Sequence, residues 1–397
     1  MVYSLSPFAS RAATRPIYLD YNATTPLDSA VVAAMRPYFA QQFGNPSCGS
    51  EYGLTARAAV EEARAQVAAL LGCAPDEIVF TGSGSESDNY AIKGIAFARR
   101  AQGAHLITSQ IEHPAVLATC RYLEERHGFR VTYLPVDTAG RVDPAAVEAA
   151  ISAETILISI MHANNEVGTL EPIAEIGQIA RRRGIALHTD AAQSVGKVPV
   201  QADELGIDLL TVVGHKLYAP KGIGALYVRR GTILDPLIHG AGHEGGRRAG
   251  TENVPYIAAL GAACALAKEQ MAAQAARWRE LRARLLAGLE AQVGPVQVNG
   301  HPEQRLPNTL NICVPGVVGE EVLARALGVA ASTGSACHAG RTEPSAVLLA
   351  MGVDPTVALG ALRLSLGRWT TADEIDEAVE VLGAAILALR DGISARA

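Results

Sequence analysis

Long apolar runs are missing from this sequence of 397 residues. Its longest apolar stretches, such as residues 258–267, are far too short to cross a bilayer, which excludes membrane insertion. A positive charge excess is missing too, because 34 Lys and Arg stand against 40 Asp and Glu, for a net charge of −6. A chain with this balance has no general attraction for nucleic acid or for an anionic membrane, so neither is expected as a partner.

Cysteine is scarce, and its spacing excludes a metal-binding pattern. The six cysteines form no C-x-x-C pair and no zinc-like array, so no metal site is predicted. Without a signal peptide, this usage indicates reduced thiols in the cytoplasm. Residues 1–16 contain no acidic residue and no long apolar core. They predict a flexible N-terminal tail, with a transit peptide as the alternative.

Hydrophobic residues make up 49% of the chain, enough for a large core and two domains. Apolar strands alternate with helical patterns through the first half, which favours an α/β fold whose mostly parallel sheet is covered by helices on both faces. The strands are predicted over residues 77–81, 105–110, 131–136, 155–162 and 185–190. The helices are predicted over residues 29–42, 55–71, 115–126, 144–152, 173–183, 256–292 and 372–390.

The glycine-rich segment 240–251 marks a change in composition. It predicts a large domain over residues 17–265 and a smaller α/β domain over residues 266–397. Residues 17–30 could pack with the smaller domain. Loops at the carboxyl edge of an open α/β sheet are the expected place for a ligand.

Two successive apolar strands end in an acid and an amine, at Asp190 and at Lys216. Both would reach the same edge of a sheet. Such a pair suits pyridoxal phosphate (PLP), which needs a lysine for the Schiff base and a carboxylate for the pyridine nitrogen. The strand before Lys216 carries no other charge, so partial burial should lower the pKa of its amine and make it nucleophilic. The ordinary alternatives are a surface lysine and a helix N-cap at Asp190.

Other polar residues stand where such a cofactor would need them. Gly84 and Ser85 open a helix after a small-residue turn and could bind phosphate. The His113 imidazole could stack on a cofactor ring. The amides of Asn165 and Gln193 follow their strands and could reach a ring hydroxyl. Each residue taken alone has an ordinary reading as a loop or helix-start residue.

Cys337 and Arg363 are candidates for residues that act on a substrate. Cys337 lies in a loop of small residues, AASTGSACHAG, where a thiolate could act as a nucleophile. Its alternative is an incidental loop cysteine. Arg363 begins an apolar strand in our prediction, and a guanidinium can pair with the carboxylate of an amino acid.

The sequence resembles the cysteine desulfurases of the NifS/IscS type, within the class V aminotransferase group. The motifs that carry the resemblance span residues 17–389 in order. They are DYNATTPL, FGNPS, FTGSGSESDNYAIKG, EHPAVLATC, MHANNEVG, HTDAAQSVGK, GHKLYAPKGIGALYV, RAGTENV and STGSACH. The resemblance implies a type I, aspartate-aminotransferase-like PLP-dependent transferase fold with a seven-stranded type of sheet. It also implies a homodimer, a sulfur-acceptor protein as a further partner, and a role in iron–sulfur cluster assembly.

The resemblance also implies roles for individual residues. Lys216 would form the Schiff base, Asp190 would hold the pyridine nitrogen, and His113 would stack on the ring and move protons. Further cofactor contacts would come from Asn165, Gln193, Gly84, Ser85 and His215, and from Thr251 of the other subunit. Cys337 would carry the persulfide. Substrate contacts would come from Arg363, Asn45, Ala23 and Thr24.

Several positions depart from the desulfurase pattern. Val213 replaces a serine that often binds phosphate, and His243 and Gly245 replace glutamine and arginine. The Val-Gly-His-Lys and Ala-Cys-His stretches resemble selenocysteine lyases, which makes release of selenide and alanine from selenocysteine the main alternative. Another class V aminotransferase, a C–S lyase and a scaffold that has lost activity are the remaining readings.

Overall fold

The computed structural model describes residues 15–334 and 343–394. Its strands are β1 (Ile17–Tyr18), β2 (Ile78–Thr81), β3 (His105–Ser109), β4 (Arg130–Leu134), β5 (Thr155–Ser159), β6 (Ala186–Asp190), β7 (Leu209–Val213), β8 (Gly224–Val228), β9 (Gln297–Asn299), β10 (Thr309–Cys313), β11 (Val329–Ala330) and β12 (Ala361–Ser365).

The α-helices are α1 (Ser29–Met35), α2 (Glu51–Leu71), α3 (Gly84–Ala98), α4 (Pro114–His127), α5 (Pro144–Ala150), α6 (Ile173–Arg183), α7 (Ala202–Leu205), α8 (Val254–Val293), α9 (Gly319–Arg325), α10 (Ala346–Ala350), α11 (Pro355–Ala358) and α12 (Ala372–Ser394). Short 3-10 turns cover Arg36–Phe39, Pro75–Glu77, Gly214–Lys216 and Glu244–Gly246.

The central sheet has seven strands in the order β2-β8-β7-β6-β5-β3-β4 within the described residues. All neighbours pair in parallel except β8, which runs antiparallel to β2 and β7. Alternate residues of a strand point to opposite faces. Ile107 and Ile158 therefore join one core, while Leu106 and Leu157 join another on the opposite face. Burial of both faces explains the continuous apolar strands, and the predicted mostly parallel sheet is confirmed.

A second core surrounds a three-stranded antiparallel sheet in the order β12-β10-β9. The start of the chain joins it, because β1 pairs in parallel with β11 and Leu19 is buried in the same core. The predicted domain limit at residues 265 and 266 lies inside the continuous helix α8. The two-domain division stays a prediction.

The first predicted helix, over residues 29–42, is too long. Helix α1 ends at Met35 and a 3-10 turn follows, with Pro37 in its first two positions. A proline ring would clash with the carbonyl four residues earlier if the α-helix continued, so the chain changes geometry here. The second predicted helix starts too late, because Ser50 caps α2 at Glu51 and its hydroxyl accepts from the amide of Gly53.

A buried ion pair holds the glycine-rich segment against the central sheet. The carboxylate of Glu244 accepts from both terminal nitrogens of Arg64, at 2.8 and 3.1 Å, and from the amide of Phe80 at 2.9 Å. Both side chains are buried. The segment that follows β8 is thereby fixed to helix α2 and strand β2.

We expect Glu244→Ala to lower the free energy of unfolding by about 3–5 kcal/mol, because it removes the buried carboxylate and leaves the exposed Glu61 as the acidic partner of the buried Arg64. Urea denaturation of the apoprotein measures the change. Glu269→Ala removes an exposed carboxylate from α8 and should stay within about 0.5 kcal/mol of the parent. A Glu244→Ala variant as stable as this control would show that the ion pair adds nothing.

Candidate active site

One cavity of about 250 Å³ lies at the carboxyl ends of β5, β6 and β7, beside the start of α3. This edge of an α/β sheet is a usual place for ligands. It brings together ten of the residues predicted from the sequence: Ala23, Gly84, Ser85, His113, Asn165, Asp190, Gln193, His215, Lys216 and Arg363. Asn22, Ser83, Asp88, Met161, Ala163, Ala192 and Val213 complete its lining. The roles of all these residues stay predictions.

Lys216 follows β7, the direct parallel neighbour of β6, which ends at Asp190. Its Nζ donates to the carbonyl oxygens of Asn22 at 2.6 Å and Ala23 at 2.7 Å. Burial lowers the pKa of Lys216 to about 8, helped by the positive charge of Arg363 and opposed by Asp190. The unprotonated fraction of this amine near neutral pH is therefore larger than for an ordinary lysine, and the unprotonated form can act as a nucleophile or a base.

Asp190 is accompanied by a second buried carboxyl group that the sequence reading missed. Burial raises the pKa of Asp190, while the amide of Ala192 and the charges of His113 and Lys216 oppose the shift. Asp88 lines the same cavity, and its Oδ1 is buried without a hydrogen-bond partner. Burial and the repulsion of Asp190 raise the pKa of Asp88 well above its ordinary value. The sequence did contain a signal for Asp88. It lies four residues after Gly84 and therefore on the same face of helix α3.

A hydrogen-bonded cluster also links the cavity to the start of the chain. The Nζ of Lys197 donates to Oε1 of Gln193 at 2.9 Å and to Oδ1 of Asn22 at 3.2 Å. The Nε2 of Gln193 donates to the Asn22 carbonyl at 3.0 Å. The Asn22 amide reaches Thr309 at the start of β10, at 2.9 Å. Asn22 and Lys197 were also missed, although Gln193 and Lys197 are four residues apart.

His113 forms the N-cap of α4, where its Nδ1 accepts from the amide of Ala115 at 3.1 Å. This bond leaves Nε2 as the protonated nitrogen of the neutral ring. Burial lowers the pKa of His113, Asp190 opposes the shift and Lys216 adds to it. The imidazole is therefore mostly neutral near neutral pH and carries a proton on Nε2 that it can donate.

Arg363 lies in the middle of β12, whereas the sequence reading placed it at the start of a strand. Its Nη2 donates to Oδ1 of Asp20 at 2.6 Å, and Nη1 donates to the carbonyl of Asn165 at 3.3 Å. Its Nε is buried without a partner. The guanidinium is thus held at the cavity by Asp20 while part of its hydrogen-bonding capacity remains unused.

The helix start at Gly84 forms the other end of the cavity. Ser83 caps α3, and the amides of Gly84 and Ser85 belong to the first turn, whose N–H groups have no acceptor inside the helix. A Cβ on residue 84 would lie 2.3 Å from Cγ2 of Val213, so only glycine allows this close approach. His215 is neutral near pH 7 because burial lowers its pKa to about 4, and its Nδ1 contacts Oγ1 of Thr24 at 3.1 Å.

Three predicted residues do not line this cavity within the described chain. The hydroxyl of Thr24 contacts Nδ1 of His215, which does line the cavity. The side chain of Asn45 accepts from the amide of Ser47 at 2.9 Å. Thr251 lies in a separate groove with Gly82 and other residues. Cys337 lies outside the described residues.

The described residues contain no group of three or more His, Cys, Asp or Glu side chains placed to hold a metal ion. No helix in the described part of the chain is long and apolar enough to cross a membrane.

Comparisons with known proteins extend over nearly the whole chain. The family model for class V aminotransferases matches residues 17–378. The cysteine desulfurase IscS of Methanosarcina thermophila is 50% identical over 95% of this chain and 93% of its own. A solved NifS-like protein is 36% identical with a TM-score of 0.88, covering 94% of this chain and 99% of its own. The solved structure of SspA in complex with cysteine is 40% identical with a TM-score of 0.77, covering 89% and 99%. These likenesses confirm the predicted fold.

Proposed function

Because the chain belongs to the class V aminotransferase family, we propose that it is a PLP-dependent cysteine desulfurase. It would convert L-cysteine to L-alanine and leave the sulfur on Cys337 as a persulfide. The observation that carries the proposal is the meeting of the Lys216 amine and the Asp190 carboxyl group in one buried cavity. The similarity of the chain to a cysteine desulfurase over 95% of its length supports the choice of reaction.

The residues of the cavity fit PLP by their chemistry. Lys216 would hold the cofactor covalently, and Asp190 would pair with its ring nitrogen. Gly84 and Ser85 would bind its phosphate through their amides, a usual role of a helix start, together with the neutral His215. His113 would stack on the ring, and Asn165 and Gln193 would face its hydroxyl. When bound, PLP supplies an electron sink that stabilises negative charge on the substrate's α carbon.

Side chains of the protein would then transfer the protons of the reaction. The Lys216 amine would take the α-proton, since its pKa of about 8 leaves part of it unprotonated. His113 lines the same cavity and would move a second proton through its imidazole. The carbonyls of Asn22 and Ala23 would hold the free lysine amine by the bonds they already make.

Arg363 would orient the substrate by its carboxylate. The ion pair with Asp20 holds the guanidinium in place, and a substrate carboxylate would add a charge-assisted hydrogen bond. Ala23 lines the cavity beside Lys216. We propose Ala23, Thr24 and Asn45 as further substrate contacts. Thr24 and Asn45 do not line the cavity, so they would have to move to reach the substrate.

Sulfur transfer would use Cys337. As the Cβ–S bond of cysteine breaks, its electron pair stays on the carbon, which is then protonated to give alanine. The sulfur forms an S–S bond with Cys337. The net reaction is cysteine plus a protein thiol giving alanine plus a protein persulfide. A thiol can remove the outer sulfur by exchange, so we propose a sulfur-acceptor protein as partner, and iron–sulfur cluster assembly as the destination.

We propose a homodimer in which Thr251 reaches the phosphate of the other subunit. Thr251 is exposed and does not line the cavity of its own chain, so a second copy would have to supply it. Phe39, Phe43, Tyr52 and Leu54 are each more than half exposed, and the rings of Phe43 and Tyr52 stack at 5.5 Å. Exposed apolar groups of this kind are typical of subunit contacts.

We propose that the enzyme works in the cytoplasm. The five cysteines of the described residues are free thiols, which suits a reducing compartment.

Product analysis with cysteine and selenocysteine side by side tests this function. We expect the holoenzyme with cysteine and a thiol reductant to yield equal amounts of alanine and sulfide, at a rate comparable to that with selenocysteine. Turnover of selenocysteine alone would favour the lyase. A keto acid with an aminated cofactor would indicate an aminotransferase, and no product from either substrate would overturn the proposal.

A further inference from the structure

Lys197 is a buried amine that the proposed reaction does not use. The residue is 5% exposed, and its Nζ donates to the side-chain amide oxygens of Gln193 and Asn22. No carboxylate of the described residues lies within salt-bridge distance of it. Burial, together with the positive charges of Lys216 and Arg363, lowers the pKa of Lys197 to about 7. An amine buried in this way destabilises the folded protein. A functional role would explain why it lies beside the cavity.

The hydrogen bonds around Lys197 set the orientation of the Gln193 side-chain amide, that is, the positions of its oxygen and nitrogen. Nζ of Lys197 donates to the amide oxygen of Gln193 at 2.9 Å, and in its protonated form this amine can only donate. The amide nitrogen is therefore the other end, where it donates to the Asn22 carbonyl at 3.0 Å. Gln193 lines the cavity, and its second N–H hydrogen is left for a group bound there.

Asn22 closes this cluster on its other side. Its Oδ1 accepts from Lys197 at 3.2 Å and from Asn308 at 3.2 Å, and its Nδ2 donates to Thr309. The carbonyl that accepts from Gln193 also accepts from Lys216. One buried amine thus contacts two of the three side-chain amides that line the proposed cofactor site, those of Gln193 and Asn22.

We propose that Lys197 is a positioning residue, which fixes the Gln193 amide so that it presents an N–H group to the ring hydroxyl of the bound cofactor. This inference rests on the proposed function, because it assumes that PLP binds in the cavity. An N–H donor stabilises the ionised form of that hydroxyl oxygen. Without Lys197, the Gln193 amide could turn over and present its carbonyl oxygen, which repels an ionised oxygen.

A double-mutant cycle on PLP affinity tests the proposal. Apoprotein is titrated with PLP, and dissociation constants are compared for the parent, Lys197→Met, Gln193→Met and the double variant. We expect each single change to weaken binding about tenfold, the loss of one good hydrogen bond. The double variant should also be about tenfold weaker, because both changes remove the same contact. A hundredfold loss in the double variant, or full affinity in Lys197→Met, would overturn the inference.

Controls separate this role from a general loss of structure. Lys268→Met makes the same change at an exposed position of α8 and should leave PLP affinity unchanged. Gln193→Glu keeps Lys197 and serves if Lys197→Met does not fold. It should present an oxygen to the ring hydroxyl and move the pH-dependent absorbance change of the bound cofactor to higher pH. An unmoved transition in Gln193→Glu counts against the inference. If the parent itself binds no PLP, the proposed function fails and not this inference alone.

Discussion

Lys216→Met is expected to reduce alanine formation from cysteine by at least about 10⁴-fold, the upper range for loss of an acid–base group. The variant would lose both the covalent attachment of PLP and the amine that takes the α-proton. Methionine retains the length of the side chain and removes its charge. Alanine is quantified after incubation with saturating PLP, and the absorbance of the bound cofactor is recorded. Activity within tenfold of the parent would exclude Lys216 as the catalytic amine.

The same variant should make the apoprotein more stable at neutral pH. The pKa of Lys216 is lowered in the folded state from 10.5 to about 8, so between these values the unfolded chain binds more protons. The stability of the parent therefore rises with pH across this window, and the whole penalty is present below pH 8. Lys216→Met removes a penalty of about 1–3 kcal/mol at pH 7, allowing for partial exposure.

Urea denaturation of the apoprotein at pH 7 and at pH 10.5 measures this effect. Lys216→Met should exceed the parent at pH 7 and match it at pH 10.5. Lys268→Met, on the exposed face of α8, should follow the parent at both pH values. A Lys216→Met apoprotein less stable than the parent at pH 7 would show that burial of the Lys216 amine does not destabilise the folded protein.

Cys337→Ala is expected to abolish the release of sulfide from cysteine, with a residual rate at least about 10³-fold below the parent. Sulfide release in the presence of a thiol reductant measures it. PLP binding and its absorbance should be unchanged, because Cys337 is not proposed to hold the cofactor. Addition of cysteine should still change the absorbance, since substrate binding precedes sulfur transfer.

The other cysteines provide the matched controls. Burial raises the pKa of the thiols of Cys73, Cys120 and Cys264 to about 12, and it also raises the pKa of Cys313. These four are poor sources of thiolate near neutral pH. Cys48 is exposed and free, so Cys48→Ala is the decisive comparison. Sulfide release that survives Cys337→Ala but not Cys48→Ala would transfer the proposed nucleophile to Cys48.

Local patterns predicted the strands of the central sheet except β8, together with the candidate residues at their carboxyl ends. Asp190 ends β6 and Lys216 follows its parallel neighbour β7, and the carboxyl ends of such strands lie at one edge of the sheet. Helix α6 matches its predicted limits of 173 and 183, because its apolar period is regular and Gly184 ends it. The predicted helix over residues 29–42 was too long, because apolar spacing does not register the local effect of Pro37.

Sequence by itself determined the fold class, the family and the likeness of this site to a PLP site, because each depends on residues close together along the chain. Tertiary structure alone decided which polar groups surround that site. Asn22, Asp88 and Lys197 come from three distant segments, and Asn22 reaches the cavity because the start of the chain pairs with β11 and bridges to Ser365. Their importance follows from burial and from hydrogen-bond partners, and neither property can be read from residue type or spacing.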